Sequence, residues 1–301
     1  MSTTPAPPAW REAHVAAAGG VRLSCVERNL DADGVPALLV HGLASNARLW
    51  DGVADRLAAA GHPVVAVDQR GHGRSDKPGS GYDFETLTAD LLAVLRHYGW
   101  GPDVDGGSRA PLVAGQSWGA NVVLELAARH PGSVLAAALI DGGTGNLSDA
   151  FADWPTCEAA LAPPPITGLP AERFESYLRS AHPDWPEEGI AGTLANVEVL
   201  PDGTIRPWLS RDDHMVILRH LWEHRPSERF AEVGVPVLIV PAEDGSNQRW
   251  MQGKRASVTR ASELLPTSVV RWIAGDHDLH AQHPELVAGL LDAATRPGFF
   301  G

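Results

Sequence analysis

The sequence predicts an α/β protein built on a mostly parallel sheet with helices on both faces. Three observations carry that prediction. Short continuous apolar runs recur at Ala37 to Val40, Val64 to Val67, Ala110 to Ala114, Val134 to Ile140 and Val235 to Val240, as strands buried on both faces require. Stretches with helical apolar spacing separate the first four of them, and strands alternating with helices imply parallel neighbours joined by crossovers. Third, Gly115-Gln116-Ser117-Trp118-Gly119 is a G-x-S-x-G pentapeptide placed between an apolar run and a helix-like stretch, Ala120 to Arg129.

The first pairing is a hairpin. His14 to Ala18 and Val21 to Arg28 flank Gly19-Gly20, a two-glycine turn between β-rich runs. Ala37 to Val40 then ends at His41-Gly42-Leu43-Ala44-Ser45-Asn46, ahead of a helix with Leu49, Trp50, Val53 and Leu57 on one face and Gly61 at its close. The cycle repeats after Val64 to Val67, where Asp83 caps a helix whose apolar face is Phe84, Leu87, Leu91, Val94, Leu95 and Tyr98. The pentapeptide opens the third cycle, and Val134 to Ile140 ends in Asp141-Gly142-Gly143.

From 146 to 230 the alternation stops. This segment is rich in proline and holds Trp154, Trp185, Trp208 and Trp222; helical patches at Ala171 to Ala181 and Asp212 to Glu223 flank a hairpin over Val197 to Ile205, with Pro201-Asp202-Gly203 as its turn. It reads as an inserted, mainly helical cap. The sheet resumes at Val235 to Val240 and Ser268 to Ile273, and a last helix begins near Pro284. The expected organisation is thus a core in two parts, 1–145 and 231–301, with a cap at 146–230.

Composition narrows the partners. The 301 residues carry 37 acidic against 24 basic side chains, a net charge of −13, and no basic stripe for nucleic acid or an anionic membrane. Cys25 and Cys157 are far apart in sequence and lack any C-x-x-C pairing that would suggest zinc or redox chemistry, and read as small buried hydrophobes. Met1 to Trp10 has neither a basic n-region nor an apolar h-region, and Val134 to Ile140 is far too short to span a bilayer. A cytoplasmic protein with a small-molecule partner is expected.

The pentapeptide carries chemistry because of its local geometry. A strand that becomes a helix within about two residues forces the serine backbone into a strained conformation and leaves its hydroxyl exposed at the sheet tip. Glycines flank it because a Cβ at either place would collide with the neighbouring strand or helix. Ser117 is then a nucleophile awaiting a base.

Four features together resemble the α/β-hydrolase superfamily, in particular its capped members: His41-Gly42, Gly71-His72-Gly73-Arg74-Ser75, the elbow at Ser117, and Gly275-Asp276-His277 followed by Pro284-Glu285. The resemblance spans residues 15 to 295. It implies His277 as the base and the backbone amides of Leu43 and Trp118 as the oxyanion donors. His41 and His72 are expected to brace their loops.

The acid departs from the commonest pattern. In most relatives it follows the strand that here is Val235 to Val240, after a glycine and three further residues; those places are Ala242 and Gly245, and Asp244 stands one place early. Other relatives take it from the end of the preceding strand, where this chain has Asp141. Both remain candidates, with Asp141 preferred. The cap tryptophans 154, 185, 208 and 222 are candidate linings of an apolar substrate pocket, or else the cap's own small core.

Competing readings are weaker. His220-Leu221-Trp222-Glu223-His224 matches an H-x-x-E-H zinc string, and His277, His280 and His283 lie close together; yet the string sits in an insert and has no third ligand. Some relatives keep the fold as ligand receptors, and the same residues suit thioester or carbon–carbon bond hydrolysis. Epoxide hydrolases and haloalkane dehalogenases place an aspartate where this chain has Ser117. The expectation is a serine hydrolase of a small, largely apolar carboxylic ester or lactone, with no metal and no cofactor.

Overall fold

The computed structural model describes residues 10–101, 109–245 and 248–301. In chain order the core begins with β1 (Arg11–Ala16), β2 (Arg22–Arg28), β3 (Ala37–Val40), α1 (Asp51–Ala59), β4 (Val64–Val67), α2 (Phe84–His97), β5 (Leu112–Gln116), α3 (Trp118–Arg129) and β6 (Ala136–Ile140). Between β6 and the next core strand lie α4 (Leu147–Ala150), α5 (Trp154–Leu161), α6 (Ala171–Ala181), α7 (Glu187–Leu194), β7 (Val197–Val199), β8 (Ile205–Pro207) and α8 (Arg211–Glu223). The core then continues through β9 (Val237–Val240), β10 (Ala242–Glu243), α9 (Gln248–Leu264), β11 (Ser268–Val270), β12 (Ile273–Ala274), α10 (Leu279–Gln282) and α11 (Pro284–Ala294).

Eight strands form one sheet in the order β1-β2-β4-β3-β5-β6-β9-β11. The hairpin strands β1 and β2 are antiparallel, β2 also pairs antiparallel with β4, and every pair from β4 to β11 is parallel. Alternate residues of each central strand enter opposite cores. Leu38, Val40, Val65, Val67, Val113 and Leu139 pack beneath α2 and α3, while Leu39, Val64, Ala66, Ala114, Ala138 and Ile140 pack against α1 and α11. Burial on both faces is why these strands read as unbroken apolar runs.

The expected cap of α2 forms, and α8 has a cap of its own. Asp83 accepts the Thr86 amide at 2.8 Å to start α2, and Ser210 accepts the Asp213 amide at 3.0 Å to start α8. The β7–β8 hairpin turns through Gly203 at φ 79°. Several boundaries differ from expectation: β1 covers Arg11–Ala16, β5 begins at Leu112 and β9 at Val237. Val134 and Leu135 stand outside β6, and the run Ser268 to Ile273 divides: β11 joins the main sheet, whereas β12 pairs with β10 in a separate parallel ladder. Cys25 and Cys157 are unpaired and fully buried. No helix of the described residues is long and apolar enough to cross a membrane.

The glycines of the elbow are spatial necessities. A Cβ on Gly115 would fall on the Gly119 carbonyl, one on Gly119 on the carbonyls of Val40 and His41, and one on Gly142 on the Ser117 backbone. Each obstruction is backbone, which cannot swing aside. Gly119→Ala is therefore expected to destabilise the fold by about 3 kcal/mol, read as a lowered urea midpoint; an unchanged midpoint would contradict this packing.

Candidate active site

The carboxyl ends of β3, β5 and β6 converge at one point, and strain gathers there. Among the described residues, the non-glycine positions at positive φ are Asn29, Ala44, Ser117 and Asp141. Three of the four belong to this convergence. Ser117 sits at φ 54°, ψ −120° between β5 and α3, and its amide donates to the Ile140 carbonyl at 3.0 Å. Such backbone costs about 1–3 kcal/mol and persists only where its surroundings over-determine it. Here Gly142 lies directly against Ser117 and Gly42 lies beside its Cβ.

His277 follows β12 and reaches the elbow from the far end of the chain. Its Nδ1–H donates to Asp141 Oδ2 at 2.7 Å, and the Gln116 side-chain amide donates to its carbonyl at 3.1 Å. Because a carboxylate only accepts, the proton of a neutral ring must sit on Nδ1, which leaves Nε2 as the acceptor. The His277 side chain is 56% exposed while that of Asp141 is 3% exposed. The Ser117 hydroxyl makes no hydrogen bond to a described residue in this conformation. Bonds of this kind are often long in unliganded sites and tighten with substrate.

Asp141 has a second cationic partner that the sequence did not reveal. Lys254 Nζ donates to Asp141 Oδ1 at 2.8 Å, to Oδ2 at 3.1 Å and to the Ala242 carbonyl at 3.1 Å, and the Ala242 amide donates to Oδ1 at 2.9 Å. Burial raises the carboxyl's pKa. The hydrogen bond and charge of His277 and those of Lys254 outweigh it, so the net shift is downward and the group stays ionised. For His277, burial opposes protonation, but the Asp141 hydrogen bond and the charges of Asp278 and Asp141 prevail; its pKa lies above the ordinary value, with Lys254 pulling the other way.

Of the two candidate acids, Asp141 bears the imidazole. Asp244 follows β10, its neighbour Glu243 paired with Arg255. The amides of Leu43 and Trp118 make no hydrogen bond to a described residue and flank the elbow, Trp118 at the first turn of α3 and Leu43 in the loop after β3. The Trp118 ring itself is fully buried, stacked on His72 at 5.3 Å between centroids, so only its backbone faces the site.

The loop histidines are structural and neutral. His41 donates from Nδ1 to the Gly42 carbonyl at 2.7 Å and accepts the Gln69 amide at 3.0 Å on Nε2. His72 bridges the Arg70 carbonyl at 3.0 Å and the Ala44 amide at 3.3 Å. Burial lowers the pKa of both. His280 packs on Trp50, its pKa pushed down to about 3 by burial, and His283 bonds the Ala274 carbonyl. His224, from the zinc-like string, bonds Glu125 at 2.8 Å and stacks on Phe84. Among the described residues no three His, Cys, Asp or Glu side chains come together as metal ligands.

A cavity of about 1380 Å³ lies between the segment joining β6 to β9 and the core, which it meets at Ala44, Ser45, Gly73 and Lys77. Ser117 and His277 do not line it; Ala44 of its wall directly follows Leu43 in the chain. The four tryptophans expected at a substrate pocket are dispersed. Trp208 lines the cavity. Trp185 is buried, its Nε1 donating to Asp276 at 2.9 Å, and Trp154 and Trp222 pack edge to face at 6.1 Å. Trp154 and Trp222 thus pack within their own segment, whereas Trp185 ties that segment to Asp276 of the core.

A strained serine between a strand and a helix, with the Asp141–His277 pair at the same end of the sheet, is the arrangement expected of an α/β hydrolase. The profile of the alpha/beta hydrolase family matches residues 37–290, and the chain belongs to that family. It is 28% identical over 267 residues to 2-(acetamidomethylene)succinate hydrolase of Mesorhizobium japonicum, covering 85% of this chain and 87% of that protein. The crystal structure of E-2-(acetamidomethylene)succinate hydrolase superposes with a TM-score of 0.72 at 25% identity, over 94% of this chain and 98% of that one. A Mycobacterium phage D29 protein named for non-heme haloperoxidases is 36% identical over 113 residues, so that the chain spans 38% of that relative's length.

Proposed function

We propose that this protein is a serine hydrolase that cleaves a small, largely apolar carboxylic ester or lactone through an acyl-enzyme. The observation that carries the reading is the Asp141–His277 pair standing behind a strained Ser117. Ser117 Oγ attacks the carbonyl and its proton passes to His277 Nε2. The Leu43 and Trp118 amides hold the oxyanion, each worth about 3 kcal/mol of barrier. The alcohol leaves with the proton from Nε2, and water, activated by the same nitrogen, releases the acid. Residues 146–230 cover this reaction as a cap. Turnover of 4-nitrophenyl butyrate or γ-butyrolactone with a pre-steady-state burst tests the proposal; no hydrolysis across a panel of esters and lactones would end it.

Lys254 is the positioning residue of this set. The base works as neutral imidazole, so kcat/KM rises as pH climbs through the pKa of His277, which lies above the ordinary imidazole value of about 6.5. The ammonium of Lys254 depresses that pKa while Asp141 and Asp278 raise it. Lys254→Met is thus expected to move the acid limb of the kcat/KM profile to higher pH, and Lys254→Arg to leave it close to the original. Superimposable profiles for Lys254→Met and the unaltered protein would contradict this role.

A further inference from the structure

The cavity beside the Leu43 loop is walled by two kinds of side chain. Ile166, Leu169, Phe174 and Trp208 make it apolar, while Lys77, Arg173, Arg206 and Arg211 bring positive charge, and no carboxylate of a described residue lines it. In a chain where acids outnumber bases 37 to 24, a wall with four cations and no anion runs against the overall charge. The charges differ in what they have left to give. Lys77 spends its protons on the carbonyls of His72, Gly73 and Ser75, and Arg206 pairs with Glu198.

Arg173 on α6 and Arg211 at the start of α8 form no hydrogen bond or ion pair with any described residue. Arginines of the same region that face away from the cavity are satisfied: Arg179 by Glu175 and Glu187, Arg219 by Glu223. Asp212 and Asp213 follow Arg211 in sequence, but neither lines the cavity, and Asp213 is engaged with Ser210. Two guanidinium forks, which match a carboxylate in a two-pronged manner, therefore stand unpaired among the described residues beside apolar walls, both of them on exposed residues.

We propose that this cavity binds the carboxylate end of the substrate, so that the protein acts on esters or lactones whose apolar chain terminates in a carboxylate. The proposal rests on the serine-hydrolase reading for its chemistry and on Arg173 and Arg211 for its selectivity. A carbonyl at Ser117 extends past Leu43 and Ala44 into the cavity, its chain lying along Trp208 and Phe174 and its anion meeting the two arginines.

The test compares mono-4-nitrophenyl adipate with the equally long, uncharged 4-nitrophenyl hexanoate. The unaltered protein is expected to favour the adipate ester by about tenfold or more in kcat/KM, expressed in KM. The double variant R173M/R211M should lose that preference, its kcat/KM for the adipate ester falling by about tenfold or more toward its own value for the hexanoate ester. Equal or better turnover of the hexanoate ester by the unaltered protein would overturn the proposal, as would a preference that survives in R173M/R211M. Calorimetry on Ser117→Ala with monomethyl adipate and methyl hexanoate separates binding from chemistry. Arginine-dependent binding of the adipate ester without turnover of either nitrophenyl ester would sink the hydrolase reading and keep the anion site. Turnover of both without preference, and equal binding, would do the reverse.

Discussion

Ser117→Ala is expected to lower kcat by roughly 10⁴ to 10⁶ and to leave the unfolding midpoint close to that of the unaltered protein. Both halves follow from the elbow. The hydroxyl makes no hydrogen bond to a described residue, so its removal leaves no buried partner unsatisfied. The strained backbone, at φ 54°, is carried equally by alanine, and the Gly42 and Gly142 contacts that enforce it are untouched. Ser117→Gly supplies the contrast. Glycine tolerates that conformation, so the same loss of activity should come with a higher midpoint, reflecting release of about 1–3 kcal/mol of strain. Persistent turnover in either variant would show that the nucleophile lies elsewhere.

Asp141→Asn should cost about 10⁴ in kcat, and Asp244→Asn only a few-fold. The carboxylate of Asp141 accepts the Nδ1–H of His277 and balances the imidazolium that forms when Ser117 gives up its proton. An amide in its place removes that charge and, by offering its own N–H, turns the ring to the wrong tautomer. It also takes the anion away from Lys254, whose two bonds to Asp141 are made in a nearly dry setting. Steady-state kinetics on 4-nitrophenyl butyrate, with the two variants measured side by side, decide this. Equal mild losses would contradict both candidate acids, and a larger loss for Asp244→Asn would transfer the role.

The strands were legible because burial on both faces leaves a plain mark: Ala37 to Val40, Val64 to Val67 and Val237 to Val240 are buried throughout. The bends were legible through glycine. Helix α9 left no such mark. Over its 17 residues only Met251, Val258 and Ala261 are buried, too few to stand out among lysine, arginine, serine and threonine. Nothing in the sequence marks Lys254, because chain order cannot connect a lysine on a polar helix to an aspartate 113 positions away.

The choice between Asp141 and Asp244 was hidden for a different reason. Asp141 follows β6 of the main sheet and Asp244 follows β10 of the small parallel ladder, and strand-end position alone cannot say which carboxylate turns toward the imidazole; that depends on the backbone of Asp141 at φ 42°. The tryptophans illustrate the same limit. Composition made them candidates for a pocket, yet the partners that hold Trp154, Trp185 and Trp222 lie on Trp222, Asp276 and Trp154, contacts that exist only once the helices are packed.

The central claim is that Ser117 is activated by His277 to form a covalent acyl intermediate. Labelling the protein with a fluorophosphonate and locating the adduct by peptide mass spectrometry tests it most directly. A single adduct on Ser117, formed at a rate that rises with pH and falls sharply in His277→Ala, is the expected result. Full ester hydrolysis with no adduct on Ser117, or labelling of Ser117 that is indifferent to His277→Ala, would contradict it.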